Sequence, residues 1–342
     1  MDFTPTDVQH SWREKAQSLA GDLSSEAAAA DVIMGAARAG LIDPNIDLLS
    51  AALAVEALAA ASASAAIAFA VHTSIVLSLA GDDRFTALAR GEIVAAVGLS
   101  SDDVAEEREG KVTGKASWVG PLTDHGIVVA GIRRQSANNP RDAAPVRSAR
   151  DERLWSAVLV SVEEPGVSIE TLDTAALSGF VCGHVALAGV PCQDIGSPVP
   201  IMARVRTLLA AAGLGMGRRA LREALHAARS QKYRGAGGEQ TVQGLLADAA
   251  TELDAATMLV WKAALAEPPS LAAASMAKLA ATEATQRAVA RATQVIGASS
   301  FERGHVIERL AQDVRALELF AGRTEALREA VAEATLGHAA TR

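Results

Sequence analysis

The pattern of apolar and polar positions divides the chain into three consecutive blocks. Residues 1–92 and 199–342 repeat apolar residues at the three- and four-residue spacing of amphipathic helices. Residues 93–198 instead carry short runs rich in Val and Ile, bounded by Gly, Pro, Asn and Asp. We therefore predict an α+β protein that is mostly α, with an N-terminal helical domain, a middle antiparallel β domain and a C-terminal helical bundle domain.

The same pattern predicts the individual elements. In the first block, the first predicted helix covers residues 8–23, and the second is capped by Ser24-Ser25-Glu26 and closes at Gly40. A third helix starts near Asp47, and residues 51–80 form two buried helical segments. A short helix follows residues 82–85 and ends at Gly91. Strands are predicted over residues 93–99, 111–118, 126–132, 155–162, 167–172 and 180–188, with an exposed loop over 133–153. The last block is predicted to form helices over residues 201–234, 239–265, 271–296 and 324–336, the first of them interrupted by three glycines within 213–217.

Composition narrows the classes of function. Half of the 342 residues are hydrophobic but only 3% are aromatic, and the surplus of Ala and Leu favours helices. The net charge of −8 and the pI near 5.5 argue against nucleic acid or an anionic membrane as the main partner. Cys182 and Cys192 match no metal or redox spacing, so we expect two buried thiols and no metal site.

Two segments bear on where the protein works. Residues 1–20 mix charges of both signs and lack an apolar core, so we expect no secretory signal and a cytoplasmic protein. Residues 57–81 contain no Asp, Glu, Lys or Arg and are long enough to span a bilayer. They consist largely of Ala and Ser with His72 among them, so a packed pair of central helices is the preferred interpretation.

Residues 294–323 carry the most specific motif. A glycine turn at residues 297–300 separates two helical patterns, and the second pattern runs through residues 308–313 to Phe320-Ala321-Gly322. This order resembles the C-terminal signature of the acyl-CoA dehydrogenase family, Q-x-x-G-G-x-G-[FY]…E-[RK]-x-x-R-D…[YF]-E-G-T. Further segments resemble the family in the same order, namely residues 111–131, 183–196, 206–221, 240–248 and 276–278.

The resemblance implies an acyl-CoA thioester as substrate, FAD as cofactor, a C-terminal four-helix domain, and a homo- or hetero-tetramer with a related dehydrogenase subunit. The reaction removes a proton from the α-carbon, so a carboxylate base must reach that carbon. By the resemblance the base belongs at Ala321 or, in other members, at Val205, and neither residue is acidic. Glu318 and Glu325 lie one turn either side of Ala321 and are either substitute bases or solvated charges on a helix face.

The resemblance also assigns contacts to the cofactor and the substrate. Arg206 is the expected substrate-side residue, and the expected flavin contacts are Trp118, Gln240, Gln294 and Gly297. Two family flavin segments are altered here. Residues 100–107 replace the flavin loop by a run with four carboxylates, which would repel a diphosphate, and residues 231–235 lose the arginine that reaches a neighbouring subunit's flavin.

Basic residues gather within residues 204–234, which hold eight Lys or Arg against one acidic residue. Three of them fall on one helix face: Arg218, Arg222 and Arg229. Phosphates of CoA or flavin suit such a face, and an ordinary solvated face explains it equally well. The three glycines within 213–217 lack the preceding strand of a dinucleotide-binding turn, so close helix packing is the preferred explanation for them.

Several functions remain open at this point. The preferred hypothesis is a subunit of a hetero-oligomeric acyl-CoA dehydrogenase, of the kind used on sterol side chains, in which the partner carries the base and the flavin loop. The alternatives are a self-sufficient FAD-dependent dehydrogenase with a relocated base, a different flavin-dependent acyl-CoA reaction such as elimination or desulfination, and a flavin-free structural partner. The identity of the acyl group cannot be read from the sequence.

Overall fold

The computed structural model describes residues 4–24, 26–79, 85–99, 105–133, 155–230 and 238–337. The predicted order of helices, strands and helices is confirmed, while the domain boundaries stay predictions. The first block holds α1 (Asp7–Asp22), α2 (Ala29–Arg38), α3 (Leu48–Ala59), α4 (Ala63–Val76) and α5 (Phe85–Ala89). The middle block holds β1 (Val94–Gly98), β2 (Ala105–Arg108), β3 (Lys111–Val119), β4 (Gly126–Arg133), β5 (Trp155–Ser161), β6 (Val167–Leu172), β7 (Cys182–Pro191) and β8 (Gln193–Gly196). The last block holds α6 (Val199–Ser230), α7 (Gly238–Ala264), α8 (Leu271–Ile296), a 3₁₀ turn (Ala298–Phe301), α9 (Val306–Leu319) and α10 (Thr324–Leu336).

The starts of the first helices show which capping signals were correct. Asp47 caps α3, because its carboxylate accepts a hydrogen bond from the Ser50 amide at 2.9 Å. The predicted cap of α2 at Ser24-Ser25-Glu26 is wrong: α2 starts at Ala29 after Ala28, which offers no capping side chain. The amide of Ala27 donates to the carbonyl of Ser24 at 3.2 Å, so these residues form a turn ahead of the helix, and Ser25 lies outside the described residues.

The described part of the uncharged segment, residues 57–79, lies mostly in the interior of the protein. It comprises the end of α3 and all of α4, and every residue of α4 is buried. Within the part of the chain that the structure describes, α6 alone is long and apolar enough to cross a membrane, and 83% of its most apolar window is buried. Burial of this extent is typical of a core helix, and α6 packs against α3, α4, α7, α8 and α9.

The middle block is one mixed sheet. The strand order is β6-β7-β3-β2-β4-β5-β8, and β1 also pairs with β4. Strands β3, β5, β6, β7 and β8 form antiparallel pairs, as the alternating pattern predicted. By contrast, β1 and β2 run parallel to β4 and lie one after the other along it, with β1 opposite residues 126–130 and β2 opposite residues 132–133.

Two short strands were not predicted. The sequence of β2 is AEER, which lacks the apolar alternation of a strand, and no strand was predicted there. It pairs with β3 through a two-residue turn in which Glu109 and Gly110 both have positive φ, 52° and 75°. Such turns are typical of tight hairpins, so the Glu-Gly pair is the signal that could have revealed β2. The other missed strand, β8, pairs with β5 at the end of the sheet.

The glycines of α6 serve close packing, as predicted, but they do not interrupt the helix. A Cβ on Gly215 would lie 2.2 Å from the carbonyl oxygen of Glu56 in α3. A Cβ on Gly217 would lie 2.5 Å from the Leu253 side chain of α7. Thr285 of α8 donates to the Gly213 carbonyl at 2.7 Å. Absence of side chains at these positions therefore lets three helices approach the middle of α6.

The cysteines differ from each other in burial. Cys182 is buried as predicted, whereas Cys192 is half-buried, which corrects the expectation of two buried thiols. Burial raises the pKa of both thiols, and Glu107 raises that of Cys192 further. A raised pKa leaves little thiolate at neutral pH, so neither cysteine has the character of a nucleophile.

Three contacts join the blocks around the predicted site. The Asp313 carboxylate of α9 accepts the Leu177 amide of the β6–β7 connection at 2.7 Å. The rings of Phe180 and Phe320 meet edge to face with centroids 5.4 Å apart. Buried His72 of α4 bonds the Leu88 carbonyl oxygen at 3.1 Å and the Ala95 amide at 3.2 Å, and desolvation by burial lowers its pKa to about 4.

Candidate active site

The turn between α9 and α10 has an unusual backbone. Ala321, the position at which the resemblance expects a base, has φ of +56°. Left-handed backbone costs a residue with a Cβ about 1–2 kcal/mol, so the surrounding structure must hold the turn in place. Gly322 follows with φ of +121°, which only glycine adopts readily.

Arg206 holds this turn. Its side chain is 1% exposed, its Nε donates to the Ala321 carbonyl oxygen at 3.0 Å, and its Nη1 donates to Ser275 Oγ at 3.1 Å. A Cβ on Gly322 would lie 3.0 Å from Arg206 Nη2, so glycine is also required here by the packed guanidinium. Val205 precedes Arg206 and is fully buried. The structure therefore brings one expected base position, Ala321, into contact with the predicted substrate-side arginine, and the other, Val205, is the arginine's neighbour on α6.

Lys278 is a second buried cation at the same turn, and it was not predicted as a site residue. Its Nζ donates to the Gly322 carbonyl oxygen at 2.8 Å and reaches the Glu318 carbonyl oxygen at 3.4 Å. Desolvation by burial, with a smaller effect of the Arg206 charge, lowers the pKa of Lys278 to about 7. The sequence did carry a signal, since Lys278 follows a run of alanines on the buried face of α8. Both cations act on carbonyls at the C-terminal end of α9, where the helix dipole favours positive charge.

The substitute carboxylates are placed differently from each other. Glu318 is half-buried, and its carboxylate accepts hydrogen bonds from Gln286 at 2.6 Å and Thr324 at 2.9 Å. It is therefore not a solvated charge, which corrects that part of the prediction, and its oxygens are engaged in joining α8, α9 and α10. Glu325 is exposed in the first turn of α10, where the helix dipole favours a negative charge.

Trp118 lies at the end of β3, in the sheet. It has φ of +55° and is 57% exposed, although indole rings are usually much more buried. Its ring meets His184 of β7 edge to face, with centroids 6.1 Å apart. An exposed aromatic ring in a strained backbone conformation is an arrangement that ligand-binding sites commonly contain.

The remaining predicted flavin residues gather at one end of the helical block. Helices α7 and α8 run antiparallel, and Glu252 of α7 joins Arg291 of α8 at 2.8 Å. The start of α7, with Gln240, therefore lies beside the end of α8, with Gln294 and Gly297. Both glutamines are exposed, and Gly297 has φ +82° and ψ −151°, a conformation essentially restricted to glycine.

The predicted residues of the helical block thus form two separate groups, while Trp118 lies in the sheet. Along α8, Lys278 at the turn and Gln294 at the far end are about 24 Å apart, at 1.5 Å per residue. One group surrounds the base position, and the other is an exposed end of a helix pair. The structure does not bring the two groups together within the described chain.

Residues 200–336 match the family model described as acyl-CoA dehydrogenase, C-terminal domain. The probable acyl-CoA dehydrogenase YngJ of Bacillus subtilis is 27% identical over 315 residues, covering 85% of this chain and 83% of that protein. The chain belongs to the acyl-CoA dehydrogenase family.

Two further comparisons concern the fold and one part of the chain. The butyryl-CoA dehydrogenase structure from Megasphaera elsdenii has a TM-score of 0.83 at 18% identity, covering 98% of this chain and 100% of that one, which establishes the fold. The 3-sulfinopropanoyl-CoA desulfinase of Paraburkholderia xenovorans is 40% identical over 100 residues, but the match covers only 29% of this chain and 26% of that protein.

Most residues of the two altered flavin segments lie outside the described part of the chain. Residues 100–104 and 231–235 lie outside the described residues. Two carboxylates of the former run belong to β2, where Glu107 accepts the Gly110 amide at 2.8 Å and Glu106 pairs with Arg108 at 3.0 Å. These two carboxylates therefore support the hairpin.

The basic face of α6 is less free than the sequence indicated. Arg218 forms ion pairs with Glu56 at 2.9 Å and Asp254 at 3.1 Å, and Arg219 pairs with Glu223 at 2.7 Å. Arg222 and Arg229 are exposed. Over the described ranges there is no group of His, Cys, Asp and Glu that could hold a metal ion.

The described residues fit part of a flavin site. The exposed indole of Trp118 offers a flat surface, and the exposed amides of Gln240 and Gln294 offer hydrogen bonds. A Cβ on Gly297 would meet nothing within 4 Å, so the backbone there is open to an approaching group. Of the two carboxylates beside the described turn, Glu318 accepts two hydrogen bonds and Glu325 is exposed, so the arrangement can bind and orient but lacks an evident base.

Proposed function

We propose that this protein is a subunit of a cytoplasmic, FAD-dependent acyl-CoA dehydrogenase complex in which a related partner supplies the catalytic base. The observation that carries the proposal is the contact between Arg206 and Ala321. One of the two places where the resemblance puts the base is thus an alanine held by this buried arginine, and the other, Val205, is the buried residue next to the arginine on α6.

Each group would have a defined task. Arg206 and Lys278 fix the turn that carries Ala321, so that its backbone presents a rigid wall to a bound thioester. Trp118 would lie against a flavin ring, and Gln240 and Gln294 would bond the flavin of a neighbouring subunit. When bound, FAD supplies the acceptor for the hydride that leaves the substrate.

A self-sufficient enzyme with a relocated base is disfavoured by the state of the candidate acids. Position 205 holds a fully buried valine and so supplies no carboxylate. Glu318 already accepts two hydrogen bonds, and Glu325 is exposed. A general base must lie within hydrogen-bond reach of the proton that it removes. Of these positions, only Glu325 carries a carboxylate without a hydrogen bond or ion pair in the described chain, and it is exposed to solvent.

A second candidate is a flavin-dependent acyl-CoA reaction that removes no α-proton, such as desulfination. The stretch that is 40% identical to a 3-sulfinopropanoyl-CoA desulfinase favours it, and so does the lack of an acid at position 321. A sulfinate-bearing acyl-CoA and a saturated acyl-CoA separate the two candidates. Release of sulfite from the first supports desulfination, and reduction of the flavin by the second supports dehydrogenation.

Purification of the chain alone and together with a co-encoded homologue tests the proposal. We expect the complex to contain FAD, in an amount proportional to the number of interfaces between this chain and its partner. The chain alone should contain little or no FAD. A yellow protein that an acyl-CoA reduces without any partner would overturn the subunit proposal. A stable complex that contains no FAD would instead indicate a flavin-free structural partner.

A further inference from the structure

A large cleft opens on the helical block, away from the turn. It has a volume of about 1190 Å³ and lies between α1, α3, α6 and α7. Small residues leave this space, among them Ala57, Ala60 and Gly215. Its volume is slightly above the usual range of about 300–1,000 Å³ for small-molecule sites, so the cleft has room for a ligand of that class. Along α6, Arg218 in this cleft is about 18 Å from Arg206, at 1.5 Å per residue, so the cleft is separate from the base position.

Positive charge dominates the lining of the cleft. Four arginines and two carboxylates line it, in a chain whose net charge is −8. Both carboxylates, Glu56 and Asp254, are bound by one arginine, Arg218, at 2.9 Å and 3.1 Å. Glu56 is 8% exposed and also lies 3.9 Å from Arg13. The acidic groups of the cleft are therefore already neutralised.

The arginine that remains for a ligand is Arg222. It lies one turn beyond Arg218 on α6, is exposed, and pairs with no carboxylate of the described chain. His10 of α1 is also exposed in the cleft. A guanidinium binds phosphate oxygens through two parallel N–H groups, which makes arginine the usual residue for phosphate recognition.

An aromatic residue of α7, Trp261, lines one side of the cleft. Trp261 is half-buried and packs on the small cluster of Leu49, Leu53 and Ala264, which fixes its ring. Met258 lies one turn before it and is 39% exposed in the cleft. A fixed indole beside a flexible thioether offers a stacking surface for a flat ring.

We propose that this cleft binds a nucleotide, with the phosphates on Arg222 and the base against Trp261. A nucleotide combines a flat ring with adjacent anionic groups, which matches the two walls of the cleft. The same chemistry occurs in a free nucleotide and in the nucleotide portion of CoA, and the experiment distinguishes these two sources. The inference is independent of the proposed function, because none of its residues belongs to the turn or to the exposed glutamines.

Calorimetric titration of the purified chain tests the proposal with ADP, CoA, adenosine and pyrophosphate as separate probes. We expect ADP to bind at least tenfold more tightly than adenosine or pyrophosphate. The variants Arg222→Gln and Trp261→Leu should each weaken ADP binding at least tenfold. Arg229→Gln is the matched control, since Arg229 is an exposed arginine of the same helix outside the cleft, and it should leave binding unchanged. CoA binding as tightly as ADP assigns the site to the nucleotide portion of CoA, and weaker CoA binding assigns it to free nucleotide.

Other results overturn the proposal. No measurable ADP binding, or equal loss in Arg222→Gln and Arg229→Gln, would exclude a specific phosphate contact in the cleft. Loss of ADP binding in Gln294→Ala but not in Arg222→Gln would place the nucleotide at the exposed glutamines instead. If Trp261→Leu does not fold, Trp261→Phe with the same titration keeps the aromatic contact testable, and pyrophosphate binding as tightly as ADP would exclude the stacking.

Discussion

Arg206 and Ala321 are 115 positions apart in the sequence, and the Arg206 Nε donates to the Ala321 carbonyl oxygen at 3.0 Å. The arginine is almost completely buried, and the alanine is held in a left-handed conformation. In this family member, neither of the two residues that form this contact is acidic. The contact is structural, so its energy can be measured independently of any reaction.

Arg206→Ala should lower the free energy of unfolding by about 2–4 kcal/mol, because it leaves a cavity and removes the donor to the Ala321 carbonyl. Urea denaturation measures the change. Arg315→Gln is the control, since Arg315 is 77% exposed and its ion pair with Glu318 is long, at 3.8 Å. It should alter stability by less than about 0.5 kcal/mol. Equal effects of the two substitutions would show that Arg206 does not hold the turn.

Ala321→Gly should stabilise the protein by about 1 kcal/mol, because glycine adopts a φ of +56° without a Cβ clash. The matched control is Ala311→Gly at an exposed position inside α9, where glycine should destabilise the helix by about 1 kcal/mol. Opposite signs of the two changes in thermal unfolding are expected. A loss of stability at both positions would refute the strain assigned to Ala321.

Lys278 should make stability rise with pH above neutrality. Its pKa is about 7 in the folded protein and 10.5 in the reference state, so between these values the unfolded chain binds more protons. The free energy of unfolding should therefore increase with pH, on the order of 1 kcal/mol per pH unit. Lys278→Met removes this rise, and the difference between the two urea-denaturation series isolates it. Identical pH profiles would show that Lys278 is not buried with a lowered pKa.

His72 should make the protein less stable as pH falls through the acid range. Its pKa is about 4 when folded and 6.5 in the reference state, so the unfolded chain binds the proton first as pH falls. Stability should decline from pH 6.5 towards pH 4, and His72→Gln should lack this part of the decline while starting from a lower stability. His125→Gln serves as control, because the His125 side chain is 75% exposed. A decline of equal size in wild type and His72→Gln would exclude the histidine as its cause.

Local patterns predicted most of the fold. The bounds of β6, α8 and α10 were correct to the residue, because each has a clear period and clear stop signals. Strand β2 escaped because its residues are charged, although the Glu109-Gly110 turn marked it. The predicted cap at Ser24-Ser25-Glu26 was wrong because Ser and Glu near a helix start give the same sequence signal whether or not they cap the helix.

The site was predictable only as far as a family motif could indicate it. The resemblance singled out Val205, Arg206 and Ala321, but no pattern announces a hydrogen bond between residues 115 positions apart. The roles of Lys278 and Glu318 depend on burial and on partners from other helices, so sequence spacing alone left Glu318 as either a substitute base or a solvated charge. Whether the flavin residues bind flavin stays a prediction.

The most direct test of the central claim uses the co-purified complex, supplied with an acyl-CoA under anaerobic conditions. The partner's acidic residue that aligns with Ala321 is replaced by glutamine, while this chain stays unaltered, and bleaching of the visible flavin band is recorded. If this chain supplies no base, the substitution abolishes reduction of all bound flavin. Flavin that is still reduced at the original rate would contradict the account, since the base would then have to come from this chain.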